Sequence, residues 1–228
     1  MKEKLLACKS EESKFVRVEM NKKDQIILYL KEKYDPSAVI AYGSFANGTE
    51  DEYSDFDALV LTDNPIALHD DSIVNGIELD VFLYSPEHFD GAYDITEIEQ
   101  IYDGSVLLDK DGLGQKLLQA AADYVASFRP KTMEEKKAEI SWCRKMLQRT
   151  SRRDPEGDYR WHWLLLDSLE IYCDINNHRY VGPKKSLAWL SESDANGFSL
   201  YTTVLESNDA SCLRAWIDHL ESCLTTSG

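Results

Sequence analysis

Two linked segments decide the fold: Tyr42-Gly43-Ser44-Phe45-Ala46-Asn47-Gly48 and, shortly after, Asp55-Phe56-Asp57-Ala58-Leu59-Val60. The apolar run Ala38-Val39-Ile40-Ala41-Tyr42 reads as a short buried strand that enters Gly43-Ser44 directly. Ten residues separate Ser44 from Asp55, where Asp-x-Asp heads a second strand reaching Thr62. A third acid, Asp80, sits inside a further strand, Ile77-Glu78-Leu79-Asp80-Val81-Phe82-Leu83.

Strand side chains alternate between faces, so Asp55 and Asp57 project from one side, as do Glu78 and Asp80. If the two strands are neighbours, three or four carboxylates converge on one patch. Like charges packed so closely repel, and a divalent cation relieves the conflict. Hard oxygen donors favour Mg²⁺ or Mn²⁺, which keep waters and share substrate phosphates. Gly43 lets the backbone approach a phosphate, and Ser44 adds a hydroxyl. The residues that follow can open a helix whose free N–H groups face an anion. Taken singly, a Gly-Ser after a strand is usually a turn, and an Asp-x-Asp is often a solvated rim. Their joint spacing, with a third acid on the next strand, is what favours a phosphate-and-metal site.

Outward from this block, Asn21 with Asp24 resembles a helix start, and Ile27, Leu30 and Tyr34 fall on one helical face before Asp35-Pro36. Asn64-Pro65 and Asp70-Asp71-Ser72 mark a loop, Gly76–Tyr84 a strand, and Ser85-Pro86-Glu87 a helix start. A fourth strand spans Gly104–Asp109, and from Leu113 the period becomes helical. Thr132-Met133-Glu134-Glu135 reads as a capping box. Helices are expected at about 132–151, 156–178, 184–191 and 208–224, with an exposed loop at Arg152–Gly157. Strands first and helices after is the pattern of an α+β protein with an appended helical bundle. The boundary falls at Arg129-Pro130-Lys131, giving a domain over 1–128 (core 21–112) and a helical domain over 129–228.

The chain has 228 residues and a formal charge of −16, so an extended nucleic acid would be repelled over most of its surface, whereas a small or cationic substrate would not. Its start, Met1-Lys2-Glu3-Lys4-Leu5-Leu6-Ala7-Cys8-Lys9, lacks a secretory pattern, and no apolar run is long enough for a bilayer. The expectation is a cytoplasmic protein with no membrane partner. Five scattered cysteines without a C-x-x-C pair suggest reduced thiols and argue against zinc.

The quoted residues resemble the DNA polymerase β-type nucleotidyltransferase superfamily. Its signature is Gly-Ser or Gly-Gly, a spacer of about ten residues, Asp-x-Asp or Asp-x-Glu, and a later single acid. The resemblance is good over about residues 24–110. It implies a mixed-sheet nucleotidyltransferase fold, two Mg²⁺ ions (or Mn²⁺), ATP or another NTP as donor, and pyrophosphate release. By it Asp55, Asp57 and Asp80 are the catalytic metal ligands, and Gly43 and Ser44 hold the phosphates. In size and layout the chain is most similar to antibiotic nucleotidyltransferases of the aminoglycoside and lincosamide kinds, whose helical domain forms the other wall of the cleft. Transfer of AMP to a small-molecule hydroxyl is the function implied. Protein adenylylation of the antitoxin kind, or nucleotide binding without turnover, are the alternatives. Partner toxins in that setting often carry Arg-x(4–6)-His, a spacing met here by Arg214 and His219 and read as coincidence.

Many relatives place an arginine two or three residues after Gly-Ser, where this chain has Ala46-Asn47. Lys184, at a helix start after Gly182-Pro183, is the candidate replacement at the phosphates, or else an ordinary surface lysine. Asp167, Glu170 and Asp174 share one helix face, either solvated or lining the acceptor side. Asp80, Glu78 and Glu170 compete as the general base. Trp161, Trp163, Leu164, Leu165, Leu166 and Leu169 are expected to build the bundle core, one face of which could support a homodimer.

Overall fold

The computed structural model describes residues 21–63, 68–152, 154–207 and 209–226. The N-terminal leader reading, Cys8, the Asn64-Pro65 turn and Arg153 of the expected loop lie outside these. The described residues form two compact units, the first ending at Ser127 and the second beginning at Phe128. Among them no helix is long and apolar enough to cross a membrane.

The first unit opens with α1 (Lys22–Tyr34), whose Asn21 side chain accepts from the Asp24 N–H at 2.8 Å. Its core face is Ile26, Leu30 and Tyr34, not the expected Ile27. Steps of four residues keep that stripe aligned over a single sheet face, and Ile27 is only half-buried. Asp35 takes a left-handed φ of 41° and ends the helix before Pro36.

The strands are β1 (Ala38–Ala41), β2 (Phe56–Leu61), β3 (His69–Asp70), β4 (Ile73–Val74), β5 (Ile77–Tyr84) and β6 (Ser105–Asp109), in the order β3-β5-β2-β1-β6, with β4 also on β5. Among the described residues only the β2–β5 pair is parallel; β1 runs antiparallel to both β2 and β6. The sheet is therefore mixed. Its Val39, Ala58, Val60 and Val81 face packs on α1. The opposite face, with Ile40, Leu59 and Leu61, is covered by Leu117 and Ala121 of α3 (Leu113–Ala126) and by Ile98 and Ile101. The helix expected after Ser85 is only a 3₁₀ turn, Pro86–Phe89.

Asp70, expected in a loop, is instead buried in β3. Tyr34 Oη donates to it at 2.7 Å, Lys33 Nζ at 3.0 Å and Ser72 Oγ at 2.5 Å. Burial opposes its ionisation, but the Ser72, Tyr34 and Lys33 donors hold its carboxyl well below the ordinary range. Pairing with β5, His69 opposite Phe82 and Asp70 opposite Val81, makes this segment a strand, and local spacing does not reveal it.

The second unit contains α4 (Met133–Thr150), α5 (Pro155–Ile175), α6 (Pro183–Ser193), α7 (Ala195–Glu206) and α8 (Ala210–Thr226). The Thr132–Glu135 capping box at the head of α4 is present in both directions. The core joins Cys143, Leu164, Leu169, Leu190, Val204, Trp216 and Leu220. Trp161, Leu165 and Leu169 are buried as expected, but Trp163 and Leu166 are 41% and 67% exposed. Those two lie off the arc defined by 161, 164, 165, 168 and 172, and Trp163 instead donates to Asp167 Oδ2 at 2.6 Å. Helix α7 lies outside the expected helical segments. Ser193-Asp194-Ala195-Asn196-Gly197 has loop composition, but Asp194 Oδ1 accepts from the Gly197 N–H at 2.8 Å and caps a new helix there.

Candidate active site

Strand pairing assembles the acids. Asp57 and Asp80 are direct partners in the parallel β2–β5 register, so their side chains stand side by side on one face. Asp55 lies just before β2. One carboxylate oxygen from each of Asp55, Asp57 and Asp80 falls within 4.8 Å of the others. Asp55 is exposed and the other two are half-buried, so the cluster opens to solvent. Glu78 does not join it: the residue is exposed at the β4 edge, opposite Ile73. Three acids converge, then, and not four.

The glycine bend abuts the cluster. Gly43 has φ +66°, and a β-carbon on it would lie 2.2 Å from Asp57 Oδ2. Both the left-handed backbone and the carboxylate contact exclude a side chain there. Gly43 begins a single helical turn, α2 (Gly43–Asn47), which buries Ser44 and closes at Gly48. Tyr42 precedes the bend, and its N–H donates to the Asp57 carbonyl at 3.1 Å. Burial pushes the Tyr42 phenol up, and the charges of Asp57 and Asp80 push it further.

Sequence reasoning missed His69. Its Nε2 lies 2.6 Å from Asp80 Oδ1, and its ring tilts over Phe82 at 4.8 Å. The signal lies in cross-strand pairing, since β3 sets His69 opposite Phe82 on β5. Lys184 lies in the first turn of α6 in the second unit and is exposed.

In the helical unit, Asp167 and Glu170 line a cavity of about 260 Å³ with Lys131, Glu139, Trp142 and Ile171. Asp174 is not on the solvated rim but buried, 2.7 Å from Lys131 Nζ, which also pairs with Glu139. Burial pushes the Glu139 carboxyl up, and the charges of Asp174 and Glu170 add to this against the Lys131 pairing. Arg214 is exposed, whereas His219 turns toward Asp194, so the two do not present one face.

Residues 23–111 match the family model described as a nucleotidyltransferase domain. The chain is accordingly a nucleotidyltransferase enzyme. The matched residues lie in the first unit, and the three acids and the glycine bend all fall within them. Among solved structures, a nucleotidyltransferase-like protein from Exiguobacterium sibiricum is similar at 12% identity and TM-score 0.37, covering 90% of this chain and 73% of that one. No curated protein matches the chain.

Proposed function

We propose that the enzyme transfers a nucleoside monophosphate, AMP from ATP, to a hydroxyl of a small amino-bearing acceptor of the aminoglycoside or lincosamide kind. The observation that carries this reading is the convergence of Asp55, Asp57 and Asp80 within 4.8 Å, beside a bend where only glycine fits against Asp57. An all-oxygen set of this kind fits Mg²⁺ or Mn²⁺, with the three aspartates as ligands. When bound, the metal neutralises charge on the triphosphate and favours in-line displacement at the α-phosphate.

The chain's own groups divide the remaining work. The Gly43 bend brings backbone amides toward the phosphates, and the Ser44 hydroxyl is available to the same oxygens. His69 fixes the orientation of Asp80 through Oδ1. The acidic cavity around Asp167 and Glu170 suits a protonated amine, in keeping with a chain of net charge −16.

The test is incubation with Mg²⁺, ATP and a panel of amino-bearing and neutral hydroxyl acceptors, read by product mass and pyrophosphate release. A product heavier by one AMP supports the reading. Pyrophosphate release that persists in the Asp55→Asn, Asp57→Asn double variant would overturn the site.

A further inference from the structure

In the helical unit, a second cluster of donor atoms lies outside the nucleotidyltransferase domain. His219 Nε2 is 2.6 Å from Asp194 Oδ2 and 3.5 Å from Cys223 Sγ. His219 and Cys223 are four residues apart on α8 and so share a face. Asp194 reaches them from the junction of α6 and α7. Its Oδ1 is committed to the Gly197 N–H, which turns Oδ2 toward the histidine.

We propose that Asp194, His219 and Cys223 form a zinc site that clips the start of α7 to the last helix. One donor atom from each of the three residues lies within 4.8 Å of the others. A tetrahedral centre with bonds of about 2.3 Å to sulfur and 2.0 Å to nitrogen holds those two atoms about 3.5 Å apart, the separation found between Cys223 Sγ and His219 Nε2; Asp194 Oδ2, hydrogen-bonded at 2.6 Å from Nε2, has to move out to about 3.3 Å when the metal enters between them. Thiolate, imidazole and carboxylate together suit Zn²⁺ better than Mg²⁺ or Ca²⁺. Water fills the fourth position, which the partial exposure of His219 and Asp194 allows. On binding, the Cys223 thiol gives up its proton to solvent.

Independent features of the surroundings fit this assignment. A β-carbon at Gly197 would lie 2.4 Å from Asp194 Oδ2 and 2.8 Å from His219 Nε2, so a residue without a side chain keeps the space between the donors clear. Tyr172 and Trp216 both stack near the His219 ring and hold its plane. As placed, Asn196 Nδ2 lies 3.5 Å from His219 Nδ1; metal binding at Nε2 requires the amide to turn over, so that its oxygen accepts the Nδ1–H. A nucleophilic relay is a poorer fit. It needs carboxylate and thiol at opposite ring nitrogens, and here both meet Nε2.

The experiment uses the full chain, purified, loaded with zinc or cobalt and dialysed. The expected result is one zinc retained per chain, a thiolate-to-cobalt charge-transfer band in the Co²⁺ form, and a lower melting temperature after chelation. The Asp55→Asn, Asp57→Asn double variant should keep the zinc and the band, which separates this site from the aspartate cluster. Cys223→Ser should lose both, whereas Cys223→His should keep zinc but lose the band. Wild-type protein without retained zinc, or a band that survives Cys223→Ser, would overturn the assignment.

Discussion

His69 Nε2 stands 2.6 Å from Asp80 Oδ1, joining the short edge strand β3 to the acid cluster. A group that holds a ligating carboxylate sets its direction, and removing such a partner typically costs about 10–100-fold in metal affinity or activity. His69→Ala is expected to lower kcat within that range and to raise the Mg²⁺ concentration needed for half-maximal rate. KM for ATP at saturating Mg²⁺ should change little. His69→Gln, whose amide N–H can still reach Asp80, should recover part of the loss. A Mg²⁺ titration of all three proteins checks this.

Gly43→Ala places a methyl group 2.2 Å from Asp57 Oδ2 on a backbone at φ +66°. Backbone strain alone costs about 1–2 kcal/mol, and displacement of Asp57 should cost activity about 100-fold or more. The expected outcome is a folded protein with a reduced melting temperature and almost no pyrophosphate release. Gly48→Ala is the control, since nothing lies within 4 Å of its added β-carbon, although φ +68° imposes similar strain. It should lose comparable stability and keep most activity.

Asp57→Asn separates stability from function. Three carboxylates within 4.8 Å repel one another when no cation is present. Removing one charge should raise the melting temperature in EDTA, by an amount worth about 1 kcal/mol or less at an open site. The same change should abolish turnover and the stabilisation that Mg²⁺ gives the wild type. Thermal scans with and without Mg²⁺ test both halves.

Asp70 makes the first unit acid-sensitive. Its folded carboxyl is depressed below the ordinary value because Ser72, Tyr34 and Lys33 donate to it. A group shifted downward stabilises fully above its unfolded value, about 3.9, and that contribution fades as pH falls toward the depressed folded value. Wild-type stability should therefore drop below about pH 4. Asp70→Asn should cost about 1–3 kcal/mol at pH 7 and flatten the acid limb. Urea unfolding across pH measures this.

Much of the catalytic half could be read from the chain itself. The strand runs into Gly43, the Asp55-x-Asp57 pair and Asp80 follow from alternation and spacing, which are local properties of the backbone. Helix caps at Asn21 and Thr132 are likewise contained in four consecutive residues. The failures differ in kind. Asp70 is in a strand because β5 pairs with it across the sheet, a partner outside the local window; Trp163 lies off the buried arc of its helix; and the α7 cap, though contained in Asp194 to Gly197, sits in a stretch of loop composition that hides it.

Sequence alone determined which residues could supply acids, a bend and caps, because covalent spacing fixes strand alternation and helix phase. The tertiary structure decided which of them meet. It put Asp57 opposite Asp80, left Glu78 at the edge, set His69 on Asp80, and gathered Asp194, His219 and Cys223. Those meetings come from strand register and helix packing, which are fixed by burying apolar faces together and so depend on the whole chain.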